Sequence, residues 1–206
     1  MKNSTLKKTY SLAAAVAFLF TLNGCEYADV APDVAPDVAP TGTNAADARN
    51  EASLNLNKMY EVIFSSLNNS GVTGMATLTL MGDQLTVNIT ASGMTPNQMH
   101  PQHIHGFMDM KKNSICPPMS ADTNGDGIVS VAEGVPFYGA VLLELTPFPV
   151  ADVNGMISYQ QTFTVSPDLM PLQNRTIVLH GLMVNSMYMP SVPVACGQIR
   201  VKNKGM

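Results

Sequence analysis

The four histidines of this 206-residue chain are grouped. Three fall in His100-Pro101-Gln102-His103-Ile104-His105-Gly106, and the fourth is His180. On a β-strand, side chains repeat on one face every two residues, so His103 and His105 project their rings to the same side. His180, from a distant segment, can complete a three-imidazole face, and His100 is a candidate fourth ligand. Imidazole is a borderline donor that suits copper and zinc. The chemistry expected is capture of one such ion. Met99, Met108, Met110 and Met119 lie near this cluster in sequence, and Met187 and Met189 follow His180. Thioethers are soft ligands for Cu(I), but methionine is also a flexible core filler, and here it is read as filler.

A second set of donors is made of oxygen. Asp122-Thr123-Asn124-Gly125-Asp126-Gly127-Ile128-Val129-Ser130-Val131-Ala132-Glu133 fits a twelve-residue EF-hand-type calcium loop. Asp122, Asn124 and Asp126 stand at positions 1, 3 and 5, and Gly127 supplies the sharp turn at position 6. Ile128 offers a backbone carbonyl at position 7, and Glu133 offers a bidentate carboxylate at position 12. The flanks are not two amphipathic helices, so a calmodulin-like switch is not expected.

These residues need a scaffold, and the hydropathy pattern supplies strands. Thr73 to Met81 and Gln84 to Ala91 flank Gly82-Asp83, a two-residue hairpin signal. Ala76, Leu78 and Leu80 alternate with threonines, as do Leu85, Val87 and Ile89 with Thr86, Asn88 and Thr90. Tyr60 to Leu67, Tyr138 to Leu145, Ile157 to Val165, Arg175 to Leu182 and Ala195 to Val201 read likewise. No long amphipathic helix intervenes. The expected class is all-β, a sandwich or Greek-key barrel spanning 51–206.

The chain before residue 51 reads as an address and a tether. Lys2, Lys7 and Lys8 precede an apolar run from Leu12 to Leu22, too short to span a membrane and right for a secretory segment. Leu22-Asn23-Gly24-Cys25 resembles the lipobox of bacterial lipoproteins. The resemblance implies cleavage after residue 24, lipidation of Cys25 and an envelope location, at the outer membrane or cell surface. Residues 25–50 carry Ala31-Pro32-Asp33-Val34 and its repeat Ala35-Pro36-Asp37-Val38. Proline at every fourth position favours an extended spacer. The net charge of −4 argues against a nucleic-acid partner. The partners expected are metal ions and a membrane reached through lipid, with self-association left open.

The domain resembles the copper/zinc superoxide dismutases and their secreted relatives. Gly71 to Gly93 resembles their N-terminal hairpin, and His103-Ile104-His105 their paired copper ligands. Arg175-Thr176-Ile177-Val178-Leu179-His180 is similar to a segment that ends in another copper ligand. Ala195-Cys196-Gly197-Gln198-Ile199 resembles the C-terminal strand whose cysteine pairs with one after the His-x-His motif; Cys116 sits in the matching place. The resemblance therefore implies the Greek-key fold of that family, copper on His103, His105 and His180, and a Cys116–Cys196 disulfide.

The departures bear on activity. The family's bridging histidine is missing after Cys116, where Asp122 follows six residues on, and the remaining zinc ligands are absent, so zinc is not expected. Pro193 stands where the family carries an arginine that guides superoxide, and proline has neither charge nor donor. The expectation is a copper- and calcium-binding lipoprotein with weak superoxide dismutation at most. A copper-binding protein without turnover is the alternative. His103-Ile104-His105-Gly106 with Gly197-Gln198-Ile199-Arg200 also resembles the chordin-type CHRD module, which implies a structural or adhesive role.

Overall fold

A computed structural model describes residues 57–202. The expected secretory segment, Cys25 and the expected proline-rich tether lie outside the described residues.

Among the described residues, nine strands and one short α-helix carry the fold. The strands are β1 (Lys58–Ser66), β2 (Thr73–Met81), β3 (Gln84–Ser92), β4 (Gln102–Gly106), β5 (Ala140–Glu144), β6 (Ile157–Thr164), β7 (Thr176–Val184), β8 (Met187–Gln198) and β9 (Arg200–Val201). The helix, α1 (Val131–Tyr138), precedes β5. All named pairings are antiparallel, in the order β5-β4-β7-β8-β1-β2-β3-β6, with β9 also on β1. The expected all-β class holds. The sheet curls into a half-barrel whose edge strands, β5 and β6, are not hydrogen-bonded to each other.

Alternation explains the inner face. Ala76, Leu78 and Leu80 of β2 meet Ile89, Val87 and Leu85 of β3 in direct register, and all are buried. Ile104 of β4 and Ile177 and Leu179 of β7 join the same core. Fully burying one such side chain contributes about 1.5–3 kcal/mol. The intervening residues of β4 and β7, His103, His105, Val178 and His180, fall on the outer face by the same two-residue period. That face is covered by the segment between β4 and β5. Leu67, Tyr138, Val178 and Cys196 form a second, smaller apolar cluster there, with Cys116 packed against it.

Cys116 and Cys196 form a disulfide, with Cα atoms 5.6 Å apart and a sequence separation of 80. It ties the covering segment to β8. A closed loop of this length stabilises the fold by roughly 4 kcal/mol in the chain-entropy picture.

Two features depart from the sequence reading. The stretch around Tyr138 begins as helix, not strand. Ser130 caps α1 and Glu133 returns the bond in a capping box, while Gly139 at φ 82° ends it. β8 also begins eight residues earlier than expected, at Met187. Pro190 and Pro193 spoil the strand pattern, but β8 pairs with β1 only at Ala195 and Cys196, so its earlier part has a ladder on one side alone.

Candidate metal centre

His103 and His105 sit on β4, and His180 arrives from β7, which pairs with β4 at Gln102↔Leu179 through His105↔Thr176. A register shift at His180, with Gly181 at φ 110°, turns this part of β7 toward the group. Any Cβ at Gly181 would collide with Tyr188 and His100, so only glycine fits that bend. The ring centroids lie 5.6 Å (His103–His105), 5.1 Å (His103–His180) and 6.0 Å (His105–His180) apart. Each residue offers one ring nitrogen, and the three nitrogens lie within 4.8 Å of one another.

Hydrogen bonds from behind fix two of the rings. His105 Nδ1 donates to the Gly139 carbonyl at 3.1 Å, and His180 Nδ1 donates to the Ser191 carbonyl at 2.8 Å. A carbonyl can only accept, so the proton is on Nδ1 and the lone pair on Nε2. His105 Nε2, His180 Nε2 and His103 Nδ1 are all buried without a partner. Buried polar atoms are nearly always satisfied, and a lone pair left bare in the interior costs free energy. Three such nitrogens facing one point fit a single metal ion. The backbone carbonyls behind two of them are the outer-shell partners such ligands require.

Electrostatics keeps the rings neutral. Burial pushes His105 down to about 4, opposed by its bond to Gly139, and pushes His180 down to about 3, opposed by its bond to Ser191. Burial also lowers His103, with the Glu144 carboxylate pulling the other way. A histidine held below its unfolded value near 6.5 contributes stability above that pH, and the contribution is lost as pH falls. The metal-free domain should therefore lose several kcal/mol between pH 7 and pH 4, read as a falling denaturant midpoint. A midpoint that stays flat across that range would mean the rings are not buried as described.

His100 is not part of the group. It is fully buried, with Nδ1 2.8 Å from the His180 carbonyl and Nε2 2.9 Å from the Thr95 carbonyl. Its ring braces the backbone of His180 instead of facing the shared point. None of the six neighbouring methionines lines the cavity over the three rings. All six are exposed, with Met189 in the adjacent groove.

That cavity, about 300 Å3, is walled by Pro101, Val131, Val141, Pro190 and Ser191 beside the histidines. Val131 opens α1, so the oxygen-donor loop and the three-histidine group share a wall. Within the loop, Gly127, at φ 85°, donates to Asp122 at 2.8 Å, and Ile128 donates to Asp126 at 2.8 Å. Glu133 accepts from Thr123 and Asn124 on one oxygen and from Ser130 on the other, which holds its carboxyl down at about 2.

Several residues of the site carried no sequence signal. Asn68 bonds both the amide and carbonyl of Val129 and the carbonyl of Pro193, pinning the loop to β8. Tyr138 places its ring 4.6 Å from that of His105. Gly139 and Ser191 act through backbone atoms alone, which side-chain chemistry cannot reveal. Compared with protein-family models and with curated proteins, the chain matches none.

Proposed function

We propose that this chain is an exported, lipid-anchored protein whose β-domain holds one copper ion on His103, His105 and His180. The observation that carries the reading is the convergence of three buried, partnerless imidazole nitrogens within 4.8 Å. The donor set would be Nδ1 of His103 and Nε2 of His105 and His180. Three neutral imidazoles suit copper in both common oxidation states and leave an open position. Copper, when bound, would supply one-electron redox chemistry at that position. The chain's own part is to hold the three rings neutral, oriented and screened from bulk water.

The copper/zinc superoxide dismutase resemblance is part of the proposal. The Cys116–Cys196 bond, the outer-face histidines and the curled antiparallel sheet support it, with the half-barrel as a reduced form of the Greek-key fold. Pro193 faces His180 across the β7–β8 ladder. With no Lys, Arg, Asp or Glu among the described residues lining the cavity, copper retention is favoured over fast turnover. The test is to load the purified chain with copper, then measure stoichiometry and superoxide turnover on one sample. One tight copper per chain supports the reading, and turnover above free-ion controls adds the enzymatic part. No retained copper ends it and leaves the adhesive-module alternative.

Calcium on Asp122, Asn124, Asp126, Ile128 and Glu133 is a second reading, favoured by one observation. Gly127 makes the position-6 turn with its amide on Asp122, and Glu133 folds back across the loop to its opening residues. Titration calorimetry of the chelated chain should show a calcium heat that Asp126→Ala removes. No heat in the parent chain rejects the reading and leaves the loop closed by its own hydrogen bonds.

A further inference from the structure

We propose that the cavity over the three histidines is a port that admits small uncharged ligands to the metal and disfavours small anions. This inference rests on the copper reading above. It concerns what reaches the open position, which that reading does not address.

Three observations carry it. The first is the wall: Pro101, Val131, Val141 and Pro190 present hydrocarbon, and the Ser191 carbonyl is committed to His180. An anion entering such a space sheds water with the Ser191 hydroxyl as its one side-chain donor beside the imidazoles, a cost that an uncharged ligand largely avoids. The second is where the positive charge lies among the described residues. Arg175 is buried on four backbone carbonyls, and Lys112 covers the ring of Phe107. None of the other cations, Lys58, Lys111, Arg200 and Lys202, lines the cavity.

The third is the register of the edge strand. Glu144 of β5 stands opposite His103, and Val141 stands opposite His105. Directly opposed residues on an antiparallel pair share a face. The sheet edge beside the group therefore carries a carboxylate opposite one ring and a hydrocarbon side chain opposite another. A bound ion would itself attract anions, but the described residues add a carboxylate at the sheet edge and no cationic side chain to the lining. The cavity also has room for ligands larger than a diatomic molecule.

The experiment titrates the copper(II)-loaded chain with azide and, separately at about pH 8, with imidazole, which is then largely uncharged. Both are followed by optical and electron-paramagnetic spectra, with bound copper quantified afterwards. The parent chain should bind imidazole in preference to azide. Val141→Lys places a cation at the mouth, on a side chain that is 45% exposed and so tolerant of charge. It should tighten azide about tenfold in a salt-sensitive way and move imidazole by a much smaller, salt-insensitive factor. Glu144→Gln should tighten azide by a smaller factor and serves if the lysine variant fails to fold. Azide binding as tightly as imidazole in the parent chain, or unmoved by both substitutions, overturns the port. A chain that retains no copper overturns the metal reading, and the port falls with it.

Discussion

Replacing His180 with alanine is expected to lower copper affinity by more than about 100-fold, beyond what the loss of an outer-shell partner costs. In the proposed copper site, His180 is the ligand that makes the site non-local. Without it, two rings remain on β4, their centroids 5.6 Å apart, and neither encloses an ion from the far side. The effect on the metal-free fold should be small near neutral pH. Removing the ring leaves a cavity, but it also removes a buried nitrogen that has no partner. Much of the acid sensitivity should go with it, since this ring is held furthest below its ordinary value, at about 3.

His100→Ala is the matched control. That ring is fully buried and bonds the carbonyls of Thr95 and His180. Its loss should destabilise the fold by about 1–3 kcal/mol and still leave one copper per chain, because the three converging nitrogens are untouched. Metal analysis after gel filtration, with the copper hyperfine coupling, reads both variants. A His180→Ala chain that keeps one copper at parental affinity would remove His180 from the ligand set. Loss of copper from the His100 variant alone would make the brace, not the ligand, the decisive element.

The parts of this architecture legible in the sequence are those written in local periodicity. β2 and β3 appear with nearly their full extent because alternating aliphatic and threonine residues flank a glycine turn. The outward pairing of His103 and His105 is also local, since it needs only the two-residue period of one strand. His180 was legible as a candidate, but its orientation depends on a register shift and on Gly181, which are properties of the β7–β8 ladder. Glu144 was silent for the same reason: it matters only because a shift between Ile104 and His105 sets it opposite His103.

The segment Ser130-Val131-Ala132-Glu133 shows a different limit. One spacing fits two readings, positions 9 to 12 of an EF-hand-type loop and a helix capping box. The structure uses the capping box, and Glu133 also reaches Thr123 and Asn124. Pro136 within the next turn masked the helix, whose eight residues are too few for periodicity to register. His100 misled because proximity in sequence looked like proximity in function. Its neighbour Pro101 lines the cavity, yet its own ring points behind the site.

Arg175→Met is expected to cost at least about 3 kcal/mol of stability, the second large effect. The guanidinium is fully buried and meets no carboxylate among the described residues; Nε donates to the carbonyl of Leu169, Nη1 to that of Phe107, and Nη2 to those of Asp168 and Met170. Methionine fills much of the space and spares the cost of burying a charge. It leaves four carbonyls with one fewer donor each, in a region where the close approach of Gly106 leaves little room for water. The balance favours the arginine because its planar fork reaches several acceptors at once, which lysine cannot reproduce. Arg175→Lys should therefore fall between the two.

For a domain of this size, a 3 kcal/mol loss lowers the melting temperature by roughly 6–12 °C. The consequence reaches the metal site, because Arg175 joins the end of β4, through Phe107, to the start of β7. Those two strands hold His105 and His180 at their 6.0 Å separation. Copper affinity in Arg175→Met should weaken by the 10- to 100-fold typical of a lost supporting partner, about 1.4–2.7 kcal/mol, with stoichiometry intact. Stability within 1 kcal/mol of the parent would mean that other donors satisfy those carbonyls, and the arginine would then owe its place to something other than the clamp it forms.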